Sequence, residues 1–227
     1  NRRAEGVLLG TLGNIYQEMA QYEKSIASYQ QSLDILREIG HKYSEGIALG
    51  NLGNTYANIG RYLEALECFN QSLSIAREIG NESGVASKLG TIAIIQQVLG
   101  NYEEAIATFQ ITIEMTGKLG HKRNQGLALG NLGGLFVELK RFEEAEPHLL
   151  QAMELCQQTF PAAVGVYCGT LAWMYAQQTN MTKAFHYLTK GEETIKVIPI
   201  EYGQFLCKKE PTRKIWRQPS TRHSNFA

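Results

Sequence analysis

Two runs of adjacent carboxylates, Glu103-Glu104 and Glu143-Glu144, are the side chains here that could serve general acid–base chemistry. Both fall where a helical segment begins, and acid in a first turn complements the helix dipole. That role explains them without catalysis. The five histidines, His41, His121, His148, His186 and His223, show no metal-ligand or triad spacing. His41 and His121 each follow a glycine that ends a helix, so a linker role accounts for them. Cys68, Cys156, Cys168 and Cys207 are never paired at two-residue spacing. A structural zinc site needs clustered thiolates or imidazoles. These cysteines read as small buried hydrophobes in a reducing compartment. Asn-x-Ser/Thr triplets at Asn70, Asn81 and Asn180 read as chance in an Asn-rich, Cys-poor chain. A recurring Gly-x-x-Gly resembles a phosphate loop or an RNA clamp, but it lies inside a helical pattern and not between a strand and a helix. The residues therefore predict a chain that is not an enzyme and has no cofactor and no metal.

Composition narrows the partners. The 227 residues carry 22 basic and 22 acidic side chains, so the formal charge is zero. Nothing draws this chain to nucleic acid or to an anionic membrane. No apolar run approaches the roughly 18 residues that span a bilayer, and no basic-then-apolar leader is present. The expectation is a cytoplasmic protein with no nucleic acid and no membrane partner. The first residue is Asn1 and not Met, only a few residues before a repeat, which points to a piece of a longer chain.

The elements behind these residues come from a repeat. Leu12, Leu52, Ile92 and Leu132 fill one column at forty-residue spacing, and Gly13, Gly53, Ala93 and Gly133 fill the next. Tyr16, Tyr56, Gln96 and Phe136 follow three places on. Then come Ser25, Ala65, Ala105 and Ala145, and four places later Tyr29, Phe69, Phe109 and Leu149. A fifth, weaker copy has Leu171, Ala172, Tyr175, Ala184 and Leu188. Apolar spacing of three and four predicts two helices per copy. The ranges are 6–19 and 22–39, 46–59 and 62–79, 85–99 and 102–119, 126–139 and 142–159, and 163–178 and 181–197. Gly40, Gly80 and Gly120 stop the second helices. Pro161 is expected to end the fourth pair. One hairpin of this length cannot bury both faces, so stacked copies must share a core. The small columns let paired helices approach, and the aromatic columns fill the space between them.

Leu52, Gly53, Tyr56, Ala65 and Phe69, in that order and at those offsets, resemble the tetratricopeptide repeat family. The resemblance covers residues 6–197. It departs in length, with units of 40 residues where the family has 34, and the Leu-Gly-Asn triplets at 12–14 and 52–54 are similar to the Leu-Gly-Asn repeat variant. It implies an all-α fold, an α-α superhelix of about five helix-turn-helix repeats. The expected organisation is a lead-in over 1–5 and repeats over 6–45, 46–84, 85–125, 126–162 and 163–197. A partly disordered extension over 198–227 follows, where basic residues and prolines replace the periodicity.

The resemblance further implies a groove, lined by the first helices, that holds an extended peptide or a helix of a protein partner. By register its candidates are Asn14, Gln17, Asn51, Asn54, Asn58, Gln97, Asn131, Glu138 and Trp173. Side-chain amides both donate and accept, so they can hold a peptide backbone without requiring charge. The positions that clamp acidic chaperone tails elsewhere in the family carry Gly and Asn here, with no Lys or Arg, so an acidic partner is not required. The alternative is a regulatory or oligomerisation arm of a larger signalling protein, a kinase, cyclase or regulatory ATPase. That reading expects a homodimer through the terminal repeats, where an apolar face lies uncovered.

Overall fold

The computed structural model describes residues 1–196. Among them the chain is helix and short turn only. A helix starts about every twenty residues: α1 (Arg2–Glu18), α2 (Tyr22–Glu38), α3 (Lys42–Asn58), α4 (Tyr62–Glu78) and α5 (Glu82–Val98). The series continues with α6 (Tyr102–Lys118), α7 (Lys122–Glu138), α8 (Phe142–Cys156), α9 (Pro161–Gln177) and α10 (Met181–Ile195). The expected extension over 198–227 lies outside the described residues.

The second helices start where the periodicity places them. The first helices start four residues sooner than predicted in repeats one, two and four, and three sooner in repeat three. Residues 2–5, expected as a lead-in, are the first turn of α1. In repeats one to three the reason is capping, whereas His121 before α7 makes no side-chain cap. Oδ1 of Asn1 accepts from the Arg3 amide at 3.1 Å. Nδ1 of His41 accepts from Ser44 at 3.3 Å, and Oδ1 of Asn81 accepts from Gly84 at 2.9 Å. These side chains satisfy amides that a helix start leaves open. The turns they open, such as Lys42 to Glu45, are polar, so no apolar spacing marks them. Asn180 caps α10 in the same way, at 3.1 Å from the Lys183 amide. Two of the three Asn-x-Ser/Thr asparagines are thus helix caps. Pro161 also departs from expectation. It is the first residue of α9, where its missing N–H costs nothing, and α8 has already ended at Cys156.

The turns share one device. Gly40, Gly60, Gly80, Gly100 and Gly120 all take φ between 65° and 81°. Ala20, Lys140 and Thr179 take the same left-handed conformation without being glycine.

The helices form two compact units, which divide after Gly120: α1 to α6 in the first and α7 to α10 in the second. In the first, α1–α2, α3–α4 and α5–α6 are antiparallel pairs, and α2 packs on α3 as α4 packs on α5. In the second, α7–α8 and α9–α10 are pairs, and α8 packs on α9. The column residues form the core. Tyr29, Phe69, Phe109, Phe136 and Leu149 are fully buried, and so are Ala65, Ala105 and Ala145. Within the first unit α1 also touches α3, and within the second α7 touches α9. α1 and α3 thus lie side by side, as do α7 and α9, and each pair presents a first-helix face.

Candidate functional site

On α3, residues 43, 47, 51, 54 and 58 recur at spacings of four and three, so they form one stripe along the helix. Tyr43, Ile47, Asn54 and Asn58 are exposed on it and Asn51 is half-buried. This stripe is the centre of the first-helix face of the first unit. Asn14 and Gln17 lie beside it on α1, exposed and half-buried, and half-buried Gln97 lies on α5.

Hydrogen bonds join several of these amides. Nδ2 of Asn51 donates to Oδ1 of Asn14 at 3.0 Å, and the buried Tyr29 hydroxyl donates to the same oxygen. Oγ1 of Thr55 donates to Oε1 of Gln17 at 2.8 Å and stands 3.2 Å from Oγ of Ser25. Part of the expected ligand-binding amide set therefore ties repeat one to repeat two. This fixes the rotamers of Asn14, Gln17 and Asn51, and a fixed polar group costs less entropy to bind. Neither Asn54 nor Asn58 has a side-chain hydrogen bond among the described residues.

The remaining candidates stand in the second unit. Asn131 is half-buried and Glu138 exposed on α7, and Trp173 is half-buried on α9.

Sequence reasoning missed three groups on the first-unit face. Tyr43 lies in the first turn of α3, which no apolar periodicity marks. Ile47 matches the apolar spacing but was assigned no role. Lys88 of α5 shares its column with Leu8, Ala48 and Ala128, which carry no charge. Its ammonium instead folds back over α3. A β-carbon built on Gly50 would lie 2.4 Å from Nζ of Lys88. Withdrawal from solvent lowers the pKa of this lysine. No carboxylate pairs with it among the described residues. A cavity of about 150 Å³ adjoins it, bounded by Tyr43, Ile47, Ser72, Ile79 and Lys88. A larger cavity, about 260 Å³, lies between α2 and α4 over α3, with Asp34, Arg37, Glu64 and Glu67 at its walls. Those charges belong to the second helices, away from the stripe.

Among the described residues no three His, Cys, Asp or Glu side chains stand close enough to hold a metal. The Glu103 and Glu143 pairs begin α6 and α8 as expected. Glu144 is held by Arg141 at 2.6 Å. No described helix is long and apolar enough to cross a membrane.

Comparison with known proteins agrees with this architecture. No curated protein matches the chain. Among solved structures, BtubC from P. vanneervenii is 20% identical with a TM-score of 0.77, over 87% of this chain and 82% of its own. The apo form of RapI is 19% identical with a TM-score of 0.76, over 85% of this chain and 54% of its own. The apo quorum sensor NprR from B. thuringiensis is 14% identical with a TM-score of 0.73, over 91% of this chain and 59% of its own. The chain thus spans little more than half of RapI and NprR, and at these identities the likeness is one of fold. The tetratricopeptide repeat profile matches residues 5–78 and 84–158, two thirds of the sequence, on the same helices that the columns define. The chain belongs to the tetratricopeptide repeat family.

Proposed function

We propose that the first-helix face of the first unit binds an extended peptide of a protein partner, and that the chain acts as an interaction scaffold without catalysis. The tetratricopeptide fold is a protein-interaction scaffold, which supplies the class. The observation that carries the finer reading is the α3 stripe. Asn51, Asn54 and Asn58 form a row of amides on one exposed face, and neighbouring Asn14 is pinned by Tyr29 and Asn51. A row of amides along a helix matches the alternating N–H and C=O groups of an extended backbone. The stripe itself, Tyr43, Ile47, Asn51, Asn54 and Asn58, carries no charged side chain. NprR, of the same fold, is a quorum sensor, and a sensing role through a bound peptide fits this face.

The test is a random hexapeptide library selected on the wild-type chain and on Asn54→Arg. Peptides retained by the first and lost by the second, with unchanged circular dichroism, are expected. Equal retention by both would place binding elsewhere.

A second reading, self-association through a terminal repeat, is favoured by α1. Its Glu5, Leu9, Leu12 and Tyr16 repeat the Glu45, Leu49, Leu52 and Tyr56 of α3 residue for residue. On α3 all four are buried under α2, with Glu45 paired to Arg37 at 3.0 Å. On α1 Leu12 is 37% exposed, and Leu8 and Met19 are more so. We propose that this face joins two copies. Light scattering should give a dimer that Leu12→Glu converts to a monomer, and a wild-type monomer at high concentration would end this reading.

A further inference from the structure

We infer that the cavity between α2 and α4 is a docking site for a basic side chain of a protein partner, an arginine with an aliphatic residue about one helix turn away. The second helices form its walls, so it stands whether or not the first-helix face binds a peptide.

The floor of this cavity is apolar and buried. Leu33, Leu49, Leu52, Tyr56 and Cys68 line it, and none of the five is more than 9% exposed. The walls are charged. Among the described lining residues the one cation, Arg37, is already engaged: Nε donates to Glu45 at 3.0 Å and Nη2 to Gln71 at 3.2 Å. Glu64 is held by Arg61 at 2.7 Å. Oε1 of Glu67 on α4 accepts from the Gln71 amide at 3.3 Å. Neither Glu67 nor Asp34 on α2 has a cationic partner among the described residues, so one uncompensated carboxylate stands on each wall. Their field reaches the floor, where burial first and then Glu67 push the Cys68 thiol up to about 11. A side chain with an apolar stem and a cationic head matches a buried floor between two carboxylates. Arginine matches best, because its planar fork can bond two carboxylates at once. Clefts for drug-sized ligands hold roughly 300–1,000 Å³. This one holds about 260 Å³, so one side chain fills it and the rest of the partner stays outside.

The next interface of the same unit shows that packing does not require these carboxylates. Forty residues on, Leu73, Leu89 and Ile92 keep the buried apolar floor. Ser74 there replaces Asp34, and Ala107 replaces Glu67. A second exchange stands beside the cavity. Glu23, Glu103 and Glu143 lie in the first turns of α2, α6 and α8, where acid complements the helix dipole. The same column in α4 holds Leu63, which is 70% exposed. An acid favoured at that place is thus given up for apolar surface in water, which gains the fold nothing. Leu63 and Glu67 are four residues apart, so they share one stripe of α4 at about 6 Å along its axis. A partner whose arginine enters between Asp34 and Glu67 therefore sets an aliphatic side chain on Leu63. Residues two apart in an extended segment, or four apart in a helix, have about that spacing.

The test titrates the full chain with two capped peptides in a calorimeter. One is short and extended, with Arg and Leu two places apart. The other is Ala-rich and helical, with Arg and Leu four places apart. At least one should bind. Its citrulline counterpart, which keeps the shape without the charge, should bind about tenfold more weakly or worse, the range of a lost charge-assisted hydrogen bond. Asp34→Asn combined with Glu67→Gln should give the same loss with unchanged circular dichroism, because both side chains are exposed. Leu63→Gln should weaken the peptide several-fold and leave binding of agmatine, a free guanidinium compound, as it was. Equal affinity for the citrulline peptide, or for the double variant, would overturn the site. Agmatine bound as tightly as the peptide would make the occupant a small cation and overturn the protein partner. Binding of neither peptide would overturn the whole proposal and leave the first-helix face standing.

Discussion

The ring of Phe69 occupies the space that a β-carbon on Gly53 would need: such a carbon would lie 2.8 Å from Cε1. Tyr29 meets Gly13 at the same distance, and Leu149 meets Gly133 at 2.7 Å. In these three repeats the paired helices approach as closely as they do because the position is glycine; in repeat three it is the buried Ala93.

Two neighbouring glycines therefore respond oppositely to the same change. Gly133→Ala must push fully buried Leu149 and should cost about 1–3 kcal/mol. Gly134→Ala meets nothing within 4 Å and should gain about 1 kcal/mol from helix propensity. Urea unfolding of the two variants, read against wild type, checks the sign of each.

The left-handed turn positions make a second test. Thr179 holds φ at 59°, a conformation that costs a β-branched residue more than glycine. Thr179→Gly should raise stability by about 1 kcal/mol, and Gly40→Ala should lower it by a similar amount. Thermal melts of both should move in opposite directions.

Gln96 stands in the column of Tyr16, Tyr56 and Phe136, and its Oε1 is buried without a hydrogen-bond partner. An unsatisfied buried acceptor costs about 1–3 kcal/mol. Gln96→Met removes the acceptor at nearly constant volume, so its denaturation midpoint should rise. A fall would show that the amide is satisfied after all.

Alkaline pH should unfold this chain more readily than acid. Burial pushes the thiols of Cys68 and Cys168 up to about 11 from 9.0 and the Tyr29 hydroxyl up to about 12 from 10.0. Tyr167 and Tyr175 are raised further, by burial first. Each group holds its proton more tightly folded than unfolded. Their contribution is complete below pH 9 and is lost as pH rises through 9–12. Melting temperatures from pH 8 to 11 should fall steadily, and less steeply for Cys68→Ala. An identical slope in that variant would remove the thiol from the account.

The sequence by itself determined the repeat, the order of the ten helices among the described residues, and the small and aromatic columns. These follow from periodicity, because a residue's place in a stacked hairpin depends on its register alone. It could not determine where the first helices begin, since polar opening turns are set by the Asn1, His41 and Asn81 caps and not by an apolar stripe. Nor could it say which amides bind each other: Asn14, Asn51 and Tyr29 meet only when two repeats stack. Lys88 is the sharpest case. Register assigns it to packing, and only the space over Gly50, thirty-eight positions earlier, decides that its charge lies unpaired beside Tyr43 and Ile47.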